Sequence, residues 1–341
     1  MLQRRFLIFT ILLIFISSPL LAQSIQQFAE LGDFRLENGQ IIQDCRIGYR
    51  TFGALNAEKS NAILFPTWFG GTSKSLAGYV GPDKMIDSTR YFVIAVDALG
   101  DGISSSPSNS VKQPAAMFPQ FNIHDMVRSQ YLLITKVFGL THLHAVIGGS
   151  MGGMQTFEWL TSYPDFLDKA IPWVGSPQLT SYDLLLWQAE LRAVEMGQQS
   201  GSSQQAISRL VATIQTLGIQ TPHYRVTHTP RADFPQFIAE TDSNFAGIFQ
   251  PDNWASQLRA MMAHDVSAPF GGKLDSAATA VHARALIIVA AQDHIVNPEP
   301  ALAFARMIGA DTLVLDNDCG HLAVSCEMER VIAAITEFLE K

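Results

Sequence analysis

Ser150 lies in Gly148-Gly149-Ser150-Met151-Gly152, where the apolar run His144–Ile147 gives way to a helical pattern of Met154, Phe157, Trp159 and Leu160. A strand, a sharp turn and a helix are expected, with a serine at the apex and small residues around it. The chemistry this offers is nucleophilic attack on a carbonyl. A serine hydroxyl is weak at neutral pH, so it needs a base, and the base needs an orienting acid. In a strand–turn–helix arrangement the chain order is serine, acid, histidine. Asp293 follows the apolar run Leu286–Ala290 and is the expected acid, with Asp316 and Asp318 as rivals. His321 follows the run Thr312–Leu315 and is the expected base. His142, His144, His264 and His294 are read as packed or solvated side chains. The oxyanion needs two N–H donors. Met151 N–H supplies one, and the loop after Ala62–Pro66 the other, at Phe69 with Trp68 and Gly70 beside it. The bland alternative is a glycine-rich turn with no chemistry.

Several elements must position these residues. Phe34–Ile42 reads as a hairpin turning at Asn38-Gly39. Ala62–Pro66, Tyr91–Asp97, His144–Ile147, Lys169–Val174 and Ala285–Ala290 read as buried strands. Helical patterns between them imply a doubly wound, mostly parallel sheet covered on both faces. The strand signal lapses over 182–274, where four helices are expected around Leu184–Leu191, Ile207–Leu217, Phe234–Ile238 and Trp254–Met262. That stretch is read as a cap inserted into a core of residues 23–181 and 275–341. Ligands bind at the carboxyl edge of such sheets. A small-molecule pocket is therefore expected there, lined by Trp68, Phe69, Met151 and Trp187.

The chain has 341 residues, 48% hydrophobic and 16% charged, which suits one large packed core. A net charge of −8 without a basic cluster argues against nucleic acid as a partner. Arg4-Arg5, the apolar run Phe6–Ile16 and Ser17–Ala22 read as a cleavable targeting segment over 1–22, cut after Ala22. The apolar run is shorter than the roughly 20 residues that span a bilayer, so stable membrane insertion is not expected. The mature protein is read as periplasmic or secreted. Three free, mostly buried thiols are the simplest reading of Cys45, Cys319 and Cys326. A bridge between Cys319 and Cys326, bracketing His321, is the alternative that an oxidising compartment permits. No spacing suggests a metal site, and no cofactor is expected.

Several stretches resemble the homoserine O-acetyltransferase-like branch of the α/β-hydrolase fold: Ile47–Asn56, Asn61–Leu64, Gly81–Asp87 with Tyr91–Ile94, Gly148–Gln155 with Glu158-Trp159, and Arg259–Val266. The resemblance runs from about residue 33 to 341. It implies an α/β-hydrolase fold, an acyl-Ser150 intermediate, and acetyl transfer from acetyl-CoA to a hydroxyl acceptor. It also implies an arginine for a substrate carboxylate in the cap, for which Arg225 is the candidate and an ordinary surface arginine the alternative. The family's catalytic histidine is followed by an aspartate linked to the substrate amine. Here Leu322 stands in that place, and an apolar side chain cannot pair with an ammonium. The loop Pro66-Thr67-Trp68-Phe69 also departs from the family's His-Ala-Leu type.

The leading expectation is thus an exported serine hydrolase of small carboxylic esters. The alternatives are an O-acyltransferase using homoserine or another small alcohol, and a silent binding protein that keeps the fold. The partner is a small-molecule ester or acyl donor, and a homodimer is compatible with a cap of this kind.

Overall fold

The computed structural model describes residues 24–341, so the expected targeting segment 1–22 and its cleavage point lie outside the described residues. Two long strands come first. β1 (Gln27–Arg35) and β2 (Ile41–Phe52) pair antiparallel around the Asn38-Gly39 turn. Gly39 takes φ +84°, and its N–H donates to Leu36 O at 3.0 Å. Next come β3 (Ala62–Pro66), the short α1 (Ser73–Leu76), β4 (Phe92–Val96), α2 (Ile123–Leu132), β5 (Leu143–Gly149), α3 (Met151–Ser162) and β6 (Leu167–Trp173). All five residues of β3 are buried, as expected for an apolar run with helices on both faces. At the start of α2, Asn122 and Asp125 cap each other's backbone N–H groups, which fixes where that helix begins.

The stretch read as four cap helices holds α4 (Ser181–Gln199), α5 (Gln204–Ile219), α6 (Pro222–His228), α7 (Phe234–Ala246) and α8 (Pro251–Met262). The additional helix, α6, has a start signal in Thr221-Pro222: Thr221 Oγ1 accepts from Tyr224 N at 3.1 Å, and proline fits the first helical position. Its seven residues bury no side chain, so hydrophobic periodicity could not reveal it. α9 (Leu274–Ala278), β7 (Arg284–Ala290), α10 (Glu299–Ile308), β8 (Asp311–Leu315), α11 (Ala323–Cys326) and α12 (Met328–Glu340) complete the chain. No helix among the described residues is long and apolar enough to cross a membrane.

The eight strands lie in the order β1-β2-β4-β3-β5-β6-β7-β8. β2 pairs antiparallel with β1 and β4, and every other neighbouring pair is parallel. From β3 the chain winds outward to β4, then returns to place β5 on β3's other side. The winding reverses there, and the crevice at the carboxyl ends of β3 and β5 is where such a sheet receives ligands. Ser150 follows β5 directly, and Trp68 and Phe69 follow β3. Two segments distant in sequence thus meet because their strands are neighbours, with Ile63 opposite Ala145 and Leu64 opposite Val146.

Buried amides tie this region together. Trp159 Nε1 donates to Gln130 Oε1 at 2.9 Å, Gln130 Nε2 to Gln155 Oε1 at 2.5 Å, and Gln155 Nε2 to Thr67 O at 3.0 Å. The run links α2, α3 and the loop after β3, and every member is paired, as a buried polar network must be. The expectation of three free thiols holds for Cys45 alone. Cys319 and Cys326 form a disulfide, because the turn at Gly320–Leu322 leading into α11 folds the chain back until their Cα atoms are 6.6 Å apart.

Candidate active site

The turn after β5 is built by contact as much as by conformation. A Cβ on Gly148 would lie 2.2 Å from Gly152 O, and one on Gly152 would lie 2.6 Å from Pro66 O. Only glycine at both positions lets α3 start this close to β5 and β3. Ser150 itself takes φ +54° and ψ −121°, a strained backbone for a side chain with a Cβ. Its N–H donates to Trp173 O at 2.9 Å, and its carbonyl accepts from Met154 N at 3.0 Å, so both sides of the turn are held.

The structure brings Ser150, His321 and Asp293 together from three separate loops. Ser150 Oγ lies 2.9 Å from His321 Nε2, and His321 Nδ1 lies 2.7 Å from Asp293 Oδ2. Asp293 Oδ1 accepts from Ile295 N at 2.8 Å and Val296 N at 2.9 Å. These backbone donors hold the carboxylate with Oδ2 facing Nδ1 as an acceptor, which suits the imidazole tautomer protonated at Nδ1. The rival acids sit elsewhere: Asp316 accepts from Gln292, and Asp318 Oδ2 is 3.9 Å from His223. The other histidines have other partners. His264 is buried against Ser176 O, and burial holds its pKa below the ordinary imidazole value. His142 pairs with Asp168, and His144 stacks on Tyr91.

The loop after β3 lies beside Ser150. Gly71 N donates to Trp68 O at 3.0 Å, and Gly70 N to Gln257 Oε1 at 3.2 Å. The same Gln257 donates to Leu99 O at 3.1 Å, and the Phe69 ring packs on Trp254, centroids 4.0 Å apart. Two residues of α8 therefore hold this loop. Among the described residues the Phe69 N–H has no acceptor, and Met151 N–H opens α3, where helical donors have no partner within the helix.

A cavity of about 380 Å³ opens over Ser150 and His321. Trp68, Phe69, Tyr79, Trp173, Ile295, Leu322, Val324 and Ser325 form its floor and sides. Trp187, Gln215, Thr216, Ile219, Phe245, Ile248, Trp254 and Met261 form its roof. Among the described residues no Asp, Glu, Lys or Arg lines it. Trp68, Phe69 and Trp187 stand where they were expected. Met151 does not line it with its side chain, which is fully buried in the core beneath the turn. Arg225 is not in the wall either. Its guanidinium donates to Gln220 and Thr229 and stacks over the Phe237 ring at 4.1 Å, so it is spent within the cap. That surroundings-dependent choice leaves no trace in the residue's own type.

One roof residue has a buried partner that escaped the sequence reading. Trp254 Nε1 donates to Glu190 Oε2 at 3.1 Å, while Glu190 Oε1 is buried with no hydrogen-bond partner among the described residues. The clue was present: Glu190 sits on the apolar face of α4 with Trp187, Leu191 and Val194. Burial raises its carboxyl from 4.5 to about 8, against a smaller lowering by the Trp254 bond. Glu190 therefore keeps its proton in the folded state up to about pH 8, whereas in the unfolded chain it loses it near 4.5. Its contribution to stability falls as pH rises through that window. Glu190→Gln cannot ionise, so it should gain stability over the parent as pH rises, on the order of 3 kcal/mol by pH 7 relative to pH 4.5. Urea denaturation at several pH values measures this, and a difference independent of pH would refute a buried neutral acid.

A family model described as the alpha/beta hydrolase fold matches residues 62–325. The chain is 31% identical over 328 residues to a probable esterase of Corynebacterium glutamicum, covering 92% of this chain and 94% of that one. It is 30% identical over 312 residues to an ethyl acetate hydrolase of Pseudomonas veronii, covering 87% and 89%. The crystal structure of a homoserine O-acetyltransferase from Bacillus anthracis is similar at a TM-score of 0.83 and 25% identity, covering 93% of this chain and 98% of that one. By sequence and by fold, the chain belongs to the alpha/beta hydrolase fold family, in the branch that holds homoserine O-acetyltransferases alongside esterases.

Proposed function

We propose that the protein is an exported serine hydrolase of small, neutral carboxylic esters. Ser150 Oγ attacks the ester carbonyl carbon as its proton passes to His321 Nε2. The resulting oxyanion is received by the N–H groups of Met151 and Phe69. The alcohol leaves with the proton from His321 Nε2, and an acyl group remains on Ser150. Water then attacks, giving one proton to His321, which returns it to Ser150 Oγ as the acid departs. Asp293 keeps the imidazole oriented and stabilises its charged form.

The observation that carries this reading is the uncharged cavity wall, with Leu322 beside His321. Homoserine brings an ammonium and a carboxylate, and burying either without a partner is costly. A small uncharged ester meets no such penalty. The similarity to an ethyl acetate hydrolase and a probable esterase supports the same reading. The bridge between Cys319 and Cys326 supports export, since such bonds persist in oxidising compartments. The likeness to homoserine O-acetyltransferases favours the second reading, in which a small alcohol replaces water at the acyl-enzyme.

Mature protein mixed with p-nitrophenyl acetate, with and without homoserine, separates the two. Steady turnover in water that homoserine leaves unchanged is expected. A burst that stalls until homoserine is added would instead establish a transferase.

A further inference from the structure

The two N–H groups that receive the oxyanion stand on different segments, and one side chain touches both segments. Gln155 lies one turn into α3, fully buried, and its Nε2 donates to Met151 O at 3.1 Å and to Thr67 O at 3.0 Å. Met151 supplies one of the oxyanion donors. Thr67 stands two residues before Phe69, which supplies the other. The two segments run so close that a Cβ on Gly152 would lie 3.4 Å from Thr67 O.

The Gln155 amide can serve in one sense only. Both carbonyls accept, so the group between them must be the NH2. At the other end, Oε1 accepts from Gln130 Nε2 at 2.5 Å, and Gln130 Oε1 accepts from Trp159 Nε1 at 2.9 Å. An indole N–H only donates, so the direction of the whole run is fixed from that end as well. Thr67 is held on its far side too: its N donates to Val96 O at 3.2 Å, and its Oγ1 accepts from Ala98 N at 3.0 Å. The loop is thus pinned to both β4 and α3 just before the residue that donates. Oxyanion donors act by standing in place before charge develops. Displacing either one weakens binding of the transition state and leaves binding of the uncharged ester as it was. We infer that Gln155 is a positioning residue that sets the spacing of the Met151 and Phe69 N–H groups, so that stabilisation of the tetrahedral intermediate depends on it and ester binding does not. The inference rests on the acyl-Ser150 reading above and holds whether water or an alcohol takes up the acyl group.

The test uses Gln155→Met, close in length and without the amide, with active sites counted by an organophosphonate titration carried to completion. Trifluoromethyl ethyl ketone probes the oxyanion. Ser150 Oγ bonds to its carbonyl carbon, the carbonyl electron pair becomes the oxyanion, and the hydroxyl proton goes to His321 Nε2. Methyl ethyl ketone, which resists that addition, probes the uncharged state. Per titrated serine, kcat/KM for p-nitrophenyl acetate should fall about thirtyfold, short of the roughly hundredfold or more that losing one donor outright costs. The Ki of the trifluoromethyl ketone should rise by the same factor to within about threefold, and that of the methyl ketone should stay within about twofold of the wild type's. Should circular dichroism show the methionine variant unfolded, Gln155→Glu replaces it, keeping the shape and donating to one carbonyl at most, with the same pattern expected. An unchanged kcat/KM would overturn the inference. So would lost activity with the trifluoromethyl ketone bound as before, or an equal weakening of both ketones, which would mark a deformed cavity. Two unfolded variants would assign Gln155 to the fold alone and overturn it as well. A wild-type protein that binds the trifluoromethyl ketone no more tightly than the methyl ketone would instead sink the acyl-Ser150 reading itself.

Discussion

Ser150→Ala should reduce ester hydrolysis by at least about ten-thousandfold while leaving the protein folded. Its Oγ is the only hydroxyl bonded to His321 Nε2 among the described residues, so no neighbour can take over the attack. Ser325 and Thr216 also line the cavity, but neither is hydrogen-bonded to the imidazole. The substitution removes one oxygen and keeps the Cβ, so the turn pays no new steric penalty. What survives would come from the oxyanion donors and the cavity acting on bound water. The measurement is turnover of p-nitrophenyl acetate together with mass spectrometry after an organophosphonate. The parent should gain one adduct and the variant none. Residual turnover within a hundredfold of the parent would remove Ser150 from the mechanism.

Asp293→Asn carries the second largest expected effect, a fall of about a thousandfold to ten-thousandfold in kcat. The reason lies in the two faces of the carboxylate. Oδ1 accepts from Ile295 N and Val296 N, so an asparagine must turn its own oxygen to them. Its NH2 then points at His321 Nδ1, where Asp293 Oδ2 now accepts at 2.7 Å. Two donors would face each other unless the imidazole moved its proton to Nε2. In that tautomer Nε2 cannot accept the proton of Ser150. Because the group needed is a base, activity should recover partly at high pH, where hydroxide competes with the imidazole for that proton. A variant with nearly full activity at neutral pH would show that Asp293 only packs the loop. Thermal melting distinguishes the two explanations, since a tautomer switch leaves the melting temperature nearly unchanged.

How much of this was legible in the amino-acid order depends on range. The Gly148–Gly152 turn is local: an apolar strand, small residues and a helical repeat lie within about twenty positions, and the fold follows them. Asp293 and His321 were legible because each follows a strand-like run, and chain order carries over into position along the sheet. The disulfide was legible only as an alternative to free thiols, because pairing two cysteines depends on how the Gly320–Leu322 turn folds back. Arg225 is a candidate only through the family resemblance, with an ordinary surface arginine as the alternative, and the alternative holds, because Gln220, Thr229 and Phe237 claim the guanidinium. Met151 was placed in the pocket by its position after Ser150, yet the helix turns its side chain into the core. Glu190 needed the cap packed onto the sheet before its isolation could be seen. Which face a helix presents is written in its periodicity. What that face meets is decided by the rest of the chain.

The anchoring of α8 has a consequence for traffic. Gln257 joins Gly70 to Leu99, Trp254 packs on Phe69, Asn253 Oδ1 accepts from Ser108 N at 3.0 Å, and Ser256 O accepts from Gln120 at 3.2 Å. A lid swinging open as one body would have to break all of these together, and would take the Phe69 loop with it. α7 has no buried residue and packs chiefly on α5. Passage of ester and alcohol past α7 would loosen the contact of Phe245 with Trp254, centroids 4.8 Å apart, and leave the hydrogen bonds of Gln257 to Gly70 and Leu99 in place.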